Sequence, residues 1–530
     1  MTYKQLLIPL CIFILAFYLR FDWASHSFWV DEFSTASQAR VVLKYGFNPF
    51  FQRIDYFEAH NVTTHFIVAA LFHFFGESEF IARFPSMIFG ALVPVMLYVV
   101  GRQLFSAQVG FAAATLATFS YWLTTWSQQA RGYALQQLLV LATLFVYFSA
   151  QQKGFSTTKV ILLLVLATLG MLTHLSFVFL LGALVLHGLF FHGRLQIKSL
   201  FSMQVIAIIA FLLCVAFLSG QVQAVSVFIA ATVRDFSNNV GYYHSFLWRE
   251  HTLVSFLAFL GVILAFQAKK TQDAVIALVL VVALYLFFFF FLFSPYVSRY
   301  LLPIFPILLL FAGVALAEFA KLISRQHHSL VLVGLVLFMI ANGDTFSMQK
   351  RQFYSVNRDM REIALLDYHS VYAIVRERFI DGDTTALIDT WPDRMRWYMG
   401  HENTTHNKYV FRWDNLPGKS NGLTRSTPYT EVAEEKILPL TGDPALKLIT
   451  SQSDLERIMS IFPTGFLFID DSSLSAEVIA YAEENLYREL YLDHYPFDEN
   501  PYSIWPATLY SWGFESENPF YSHSPANNIE

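Results

Sequence analysis

The chain has 530 residues, 55% of them hydrophobic and only 14% charged, whereas an average soluble protein carries about 25% charged residues. This is the composition of a polytopic membrane protein. The net charge of −5 gives no basis for nucleic-acid binding, and the two cysteines, Cys11 and Cys214, lie in apolar runs, which excludes a disulfide scaffold and a cysteine-based metal site.

The first apolar run extends from Leu6 to Leu19 and follows Lys4. Its flank, "RFDWASHSF", is bulky and begins with Arg20, a poor cleavage site, so the run reads as an uncleaved first span. An outer loop over 20–63 follows. Asp31 and Glu32 stand side by side near its start, in "SFWVDEFSTA", and His60 stands near its end, in "EAHNVTTH". A carboxylate against an apolar wall has its charged form disfavoured by desolvation and becomes a better base. The ordinary alternative is an acid pair that is solvated or caps a helix.

"THFIVAALFHFFG" (64–76) is apolar but short. As a helix it covers about 20 Å, against about 30 Å of hydrocarbon. Extending it would draw in Glu77, Glu79 and Arg83, each costing about 2.5–3.5 kcal/mol at depth. It is expected to lie at the interface or dip in without crossing. With the N-terminus inside, about eleven spans then follow from the apolar runs: 5–20, 84–104, 108–127, 131–150, 158–173, 175–191, 200–219, 252–268, 272–293, 300–320 and 329–345. The loops falling inside carry Arg102; Lys153 and Lys159; Arg194 and Lys198; Lys269 and Lys270; Lys321 and Arg325. Counting 64–76 as a span would move these later basic pairs outside, against the positive-inside rule. The 20–63 loop, the 220–250 loop and the C-terminal domain thus share the outer face.

Three short turns on that face carry candidate residues. "TTWSQQARGYALQ" (124–136) puts Arg131 at the mouth of two spans beside Gln128, Gln129 and Tyr133. An arginine there can clamp a phosphate bidentately, or simply snorkel to the interface. "LTHLSF" (172–177) puts His174 in a very short turn, where a structural histidine is the ordinary alternative. "FSPYVSRYLLPIFP" (293–306) brings Arg299 and Tyr300 to the same face, as a site or as an aromatic belt with one basic anchor.

Residues 1–348 therefore read as the transmembrane domain and 349–530 as an extracytoplasmic α/β domain. In the latter, "VYAIVRERFIDGD" is helix-like and ends in a glycine turn, "TTALIDT" reads as a strand, "SDLERIMSIFP" precedes the strand "GFLFIDD", and "SAEVIAYAEENLYREL" follows as a helix. No Gly-rich phosphate loop stands at the strand-to-helix turns.

The order of "FWVDEFSTA", "FGESEFIARFPSMIFGALVPVMLYVVGRQLF", "SQQARGYALQ", "THLSF" and "SRYLLPIFP" resembles the GT-C glycosyltransferases, and more narrowly the bacterial branch related to protein O-mannosyltransferases and the lipid A aminoarabinose transferase. The likeness covers about residues 1–345; the C-terminal domain matches in position and general α/β character. The resemblance implies an enzyme of the bacterial inner membrane that takes a polyprenyl-phosphate-linked sugar, with its C-terminal domain periplasmic and a lipid, glycan or protein as acceptor. The family's acidic motif matches Asp31–Glu32, so the base toward the acceptor falls on Asp31. Glu32 is expected to orient Asp31, or to hold a divalent cation if one is used. Arg131 and Arg299 are expected to stabilise the leaving polyprenyl phosphate, with Tyr300, His174 and His60 around the donor. Relatives often have "SQEAR" where this chain has Gln129, and "HPPL" where it has "HNVT". The alternatives are a lipid-linked sugar flippase or other transporter, and a non-catalytic glycan-assembly protein that keeps the fold. Against a transporter, the ionisable residues gather at one face instead of lining the midplane.

Overall fold

The structure, a computed structural model, describes residues 3–21, 26–46, 61–189, 238–293, 297–342, 345–348, 366–379, 385–389, 392–399, 408–411, 447–449, 451–470, 476–492 and 507–514. Its contacts divide the chain into two units. The first comprises Met1–Ser25 and Ser34–Ile363; the second comprises His26–Phe33 and Ala364–Glu530.

The first unit is helical. Its helices are α1 (Tyr3–Arg20), most of α2 (Val30–Tyr45), α3 (Val62–Phe75), α4 (Glu79–Leu104), α5 (Ala107–Phe119), α6 (Tyr121–Ser127), α7 (Tyr133–Lys153), α8 (Thr157–Thr173), α9 (Phe177–His187), α10 (Val240–Glu250), α11 (Thr252–Gln267), α12 (Gln272–Phe291), α13 (Phe305–Ile323) and α14 (His328–Asn342). Within the described residues each expected span overlaps a helix, except 108–127, which is divided between α5 and α6; the span at 200–219 lies outside the described residues. Among the described residues, four helices, α4, α7, α12 and α13, are individually long and apolar enough to cross a membrane, or five crossings if α10 and α11, bent by 101°, form one. The others are shorter apolar helices. Helix α3 has 14 residues, about 21 Å of rise and short of the hydrocarbon thickness.

Two sequence expectations are corrected here. The loop at 20–63 contains a 16-residue helix, α2, which its mixed Ser/Thr/Gln/Arg composition conceals. The span expected at 108–127 is broken at Ser120, which ends α5 and caps α6, its hydroxyl accepting from Leu123 N–H at 3.4 Å. The break is held by other backbone: Tyr121 N–H donates to Thr345 O at 3.2 Å and Ser347 N–H to Phe119 O at 2.8 Å. The carbonyls freed at the end of α5 are met by the buried Arg20, whose guanidinium donates to Ala117 O at 2.9 Å and Thr118 O at 3.2 Å. Broken helices inside an apolar medium need such substitutes.

The second unit is α/β. Its later part runs α15 (Tyr368–Arg378), β1 (Thr385–Asp389), α16 (Pro392–Met399), β2 (Lys408–Phe411), β3 (Lys447–Ile449), α17 (Gln452–Ile461), β4 (Thr464–Ile469), α18 (Ala476–Asn485), β5 (Tyr487–Leu492) and β6 (Ala507–Trp512). The sheet order is β3-β2-β1-β4-β6-β5. The first four strands are parallel, and β6 joins β4 and β5 antiparallel. Alternation along the strands fills a core: Ala386, Ile388, Leu467, Tyr510 and Trp512 pack with Leu455 and Ile458 of α17 and Val478 and Ala482 of α18. The helix expected over "SAEVIAYAEENLYREL" ends at Asn485. Its last residues form β5, whose Glu489 takes both Arg378 guanidinium nitrogens at 2.6 and 3.0 Å.

Candidate active site

The acid pair belongs to the second unit. Trp29 precedes the first turn of α2, and Glu32, the third helical residue, turns back so that its carboxylate accepts from Trp29 N–H at 3.3 Å. This is half of a capping box. Glu32 is fully buried, whereas Asp31 is half-buried. The apolar wall expected around the pair therefore falls on Glu32, which works as a cap, and Asp31 is the more accessible acid. Both sit at the partial positive charge of the helix N-terminus.

The residues around the pair are fixed by aromatic contacts inside the same unit. The Phe28 ring lies 5.0 Å from Trp397 and 5.6 Å from Phe33, the latter edge-on. Phe33 stands 5.8 Å from both Tyr368 and Tyr398. His369 N–H donates to Ser27 Oγ at 3.2 Å. Below these rings lies an ionic group that no sequence motif announced. Buried Arg394 bridges Asp389 and Asp470, Tyr372 OH donates to Asp389, and Tyr368 OH donates to Asp470 at 3.1 Å. Burial, with the neighbouring carboxylates, pushes both tyrosine hydroxyls well above their ordinary range. The two carboxylates hold the Arg394 guanidinium charged against the opposing effect of burial. One signal was available: "TALID" and "FLFID" both end an apolar strand on aspartate.

In the first unit, the predicted residues of two turns meet. Arg299 lies in a 3₁₀ turn, Ser298–Leu301, so the span expected at 300–320 is regular helix only from Phe305. Arg299 Nε donates to Tyr133 OH at 3.0 Å, and its guanidinium carbon stands 5.8 Å from the Trp126 ring and 5.9 Å from that of Tyr300. The His174 ring bridges the group, 5.8 Å from Tyr133 and 5.7 Å from Tyr300. Its Nδ1 accepts from Ser176 N–H at 3.3 Å, which puts the ring proton on Nε2. Tyr300 in turn stacks on Phe289 at 5.2 Å. Gly170 makes the tight His174 turn feasible: a Cβ there would meet the Phe177 ring at 2.5 Å.

Arg131 is placed differently. It is buried, 6% exposed, and it acts as an internal clamp. One terminal nitrogen donates to Thr35 Oγ1 at 3.2 Å. The other donates to the Asn61 side-chain oxygen at 3.1 Å, while the Asn61 amide nitrogen donates to Thr173 O at 3.0 Å. Asn61 is itself buried, in the left-handed conformation (φ 60°) at the start of α3. The neighbouring Gly132 is required by this contact, since a Cβ would come within 2.7 Å of the Asn61 side-chain amide and 2.9 Å of Thr64 Oγ1. Gln129 is buried in the same turn, and His60 lies outside the described residues.

Among the described residues, no three His, Cys, Asp or Glu side chains gather closely enough to hold a metal ion. The Glu32 carboxylate is engaged with backbone.

Residues 59–219 match the family model of dolichyl-phosphate-mannose-protein mannosyltransferases. No curated protein matches the chain. Among solved structures, it is similar to ArnT from Cupriavidus metallidurans bound to undecaprenyl phosphate, at 11% identity and a TM-score of 0.64 over 97% of this chain and 99% of that one. It is similar to the same protein in the apo state at 12% identity and a TM-score of 0.63, over 96% and 98%. It is also similar to the archaeal oligosaccharyltransferase AglB from Archaeoglobus fulgidus in complex with an inhibitory peptide and a dolichol-phosphate, at 11% identity and a TM-score of 0.52, over 98% and 75%. At such identities the structural likeness is one of fold. That fold is shared over nearly the whole chain, and the family model matches residues 59–219 within its first half.

Proposed function

We propose that this protein moves a sugar from a polyprenyl-phosphate donor to an acceptor hydroxyl or amine at the extracytoplasmic face of the bacterial inner membrane, by one inverting displacement. The observation that carries the reading is the Arg299 group: a cation joined to Tyr133, His174, Tyr300 and Trp126 where three helix turns converge. Such a group suits a lipid-linked phosphate, whose charge must be met where its chain remains in lipid. Support comes from the relatives with undecaprenyl phosphate and dolichol-phosphate. The basic residues also alternate with this group along the chain. Arg102, Lys153, Lys159, Lys269, Lys270, Lys321 and Arg325 fall at or beside the other set of turns, which favours that set as cytoplasmic.

Asp31 is the base. It takes the proton from the acceptor as the acceptor oxygen or nitrogen bonds to the anomeric carbon, while the bond from that carbon to the phosphate oxygen breaks. Arg299 and the Tyr133 hydroxyl stabilise the charge growing on the departing polyprenyl phosphate. Tyr300 and His174 shape the donor position. Glu32 holds the first turn of α2, and through it the Asp31 backbone.

Purified protein given a labelled polyprenyl-phosphate sugar and an acceptor extract should release polyprenyl phosphate. The Asp31→Asn variant should lower turnover by about 10²–10⁴-fold while binding donor normally. Turnover by this variant near that of the unaltered protein removes Asp31 from the mechanism. Movement of donor across the bilayer without release would replace transfer by transport.

A further inference from the structure

The sheet of the second unit has a reversal in its strand order. From β1 the chain moves outward through β2 to β3, then returns to β4 on the opposite side of β1. In open α/β sheets the crevice at the carboxyl ends of two such strands is where ligands bind. Here those ends carry Asp389, the last residue of β1, and Asp470, directly after β4. Both are buried and both are bridged by Arg394, whose guanidinium carbon lies 4.5 Å from the Tyr368 ring and 4.7 Å from that of Phe468. Tyr372, bonded to Asp389, stacks on Tyr398 at 5.0 Å. The strand ends thus support a floor of rings, and the groups packed on it are Phe33, against Tyr368 and Tyr398, and Phe28, against Trp397.

We propose that Phe33 and Phe28 are positioning residues. The crevice in which a sheet of this topology takes a small ligand is filled instead by the chain's own acid-bearing segment, and that docking fixes where Asp31 stands. The two rings flank the acid pair on both sides in sequence, and Phe33 is edge-on to two fixed tyrosines, a geometry that resists rotation as well as withdrawal. The Glu32 cap rigidifies the turn between them. The consequence for turnover rests on the reading of Asp31 as the base; the docking itself does not.

The test uses the full-length protein in lipid nanodiscs and separates these two parts. A nitroxide is attached at Asp31→Cys in a chain whose Cys11 and Cys214 are replaced by serine. Its spectrum should be immobilised, should gain a mobile component when Phe33→Ala is added, and should stay immobilised with Phe33→Tyr. In the Asp31-containing protein, Phe33→Ala should lower kcat by about 10²-fold with donor KM changed less than about twofold, and Phe33→Tyr should restore it. Should Phe33→Ala not fold, Phe33→Leu keeps the volume without the ring edge and is read in the same two ways. A label equally immobile in the Phe33→Ala or Phe33→Leu protein overturns the docking. An unchanged kcat, or a parallel loss of kcat and donor affinity that Phe33→Tyr does not repair, overturns the positioning role. A mobile label together with full turnover by Asp31→Asn would leave the docking intact and remove the base.

Discussion

Arg394 and Arg299, one in each unit, both sit among aromatic rings, with different groups around their charges. Arg394 lies between two carboxylates, fully buried, with Tyr368 and Phe468 against its faces. Arg299 is half-buried and meets a tyrosine hydroxyl and the faces of Trp126 and Tyr300. A guanidinium neutralised by carboxylates has its field cancelled locally and serves the fold. At Arg299 a tyrosine hydroxyl and two ring faces are among the groups that meet the charge. Side by side, the two show that what an arginine is bonded to says more about its role than whether it is buried.

The sharpest way to break this contrast is Arg394→Met. It should leave Asp389 and Asp470 buried without their cation and destabilise the second unit by about 3–5 kcal/mol, read as a lower melting temperature of the full-length protein. A variant as stable as the unaltered protein would mean that the ionic group does not hold the domain. Arg299→Ala should do the reverse: donor affinity falls by an amount corresponding to about 1.5–3 kcal/mol, a charged hydrogen bond, with little change in melting. Arg299→Lys should recover only part, because the planar fork is lost. Equal loss of affinity and stability would make Arg299 another structural arginine.

Arg131→Ala sharpens the comparison within the first unit. Its partners include the Thr35 hydroxyl and the Asn61 amide, so removal should cost about 1–2 kcal/mol of stability, with the donor constant expected to stay where it was. A selective loss of donor affinity would return Arg131 to the phosphate. The smallest effect concerns alkali. Tyr368 and Tyr372 titrate above their ordinary value of 10.0 in the folded protein, so the unfolded chain loses these protons first. Their contribution is complete below pH 10 and is lost as pH rises from there toward the folded values, by about 1.4 kcal/mol per pH unit for each tyrosine. Melting curves at pH 9–11 should fall less steeply for a Tyr368→Phe, Tyr372→Phe double variant.

Much of the first unit was legible because burial in lipid demands long apolar runs, and the turns between them carry the charges. The break at Ser120 was not, since its compensation comes from Arg20 and from residues 345–347, far away in sequence. Helix α2 was hidden for a related reason: its stability comes from packing and from the Glu32 cap rather than from an apolar stripe. In the second unit, β1 and β4 were readable as buried apolar runs. Strands β2 and β3 have four and three residues, too few to show a period, and β5 continues a helix-like pattern into an edge strand. Arg299, Tyr300 and His174 were singled out by the two turns that carry them, and the fold brings them together. The Arg394 group was missed because its members are 5 and 76 residues apart and only the fold brings them together.

Asn61 begins the tripeptide Asn-Val-Thr, the acceptor sequence for N-linked glycans. In the folded protein its amide is buried and committed to Arg131 and Thr173, with Gly132 packed against it. A glycan on that nitrogen has no room, and its linkage would replace a hydrogen-bond donor that the site uses. Production in a eukaryotic secretory host therefore sets modification against folding at this asparagine. A glycosylated band at Asn61 would report chains whose first unit had not closed, which makes the sequon a built-in gauge of assembly.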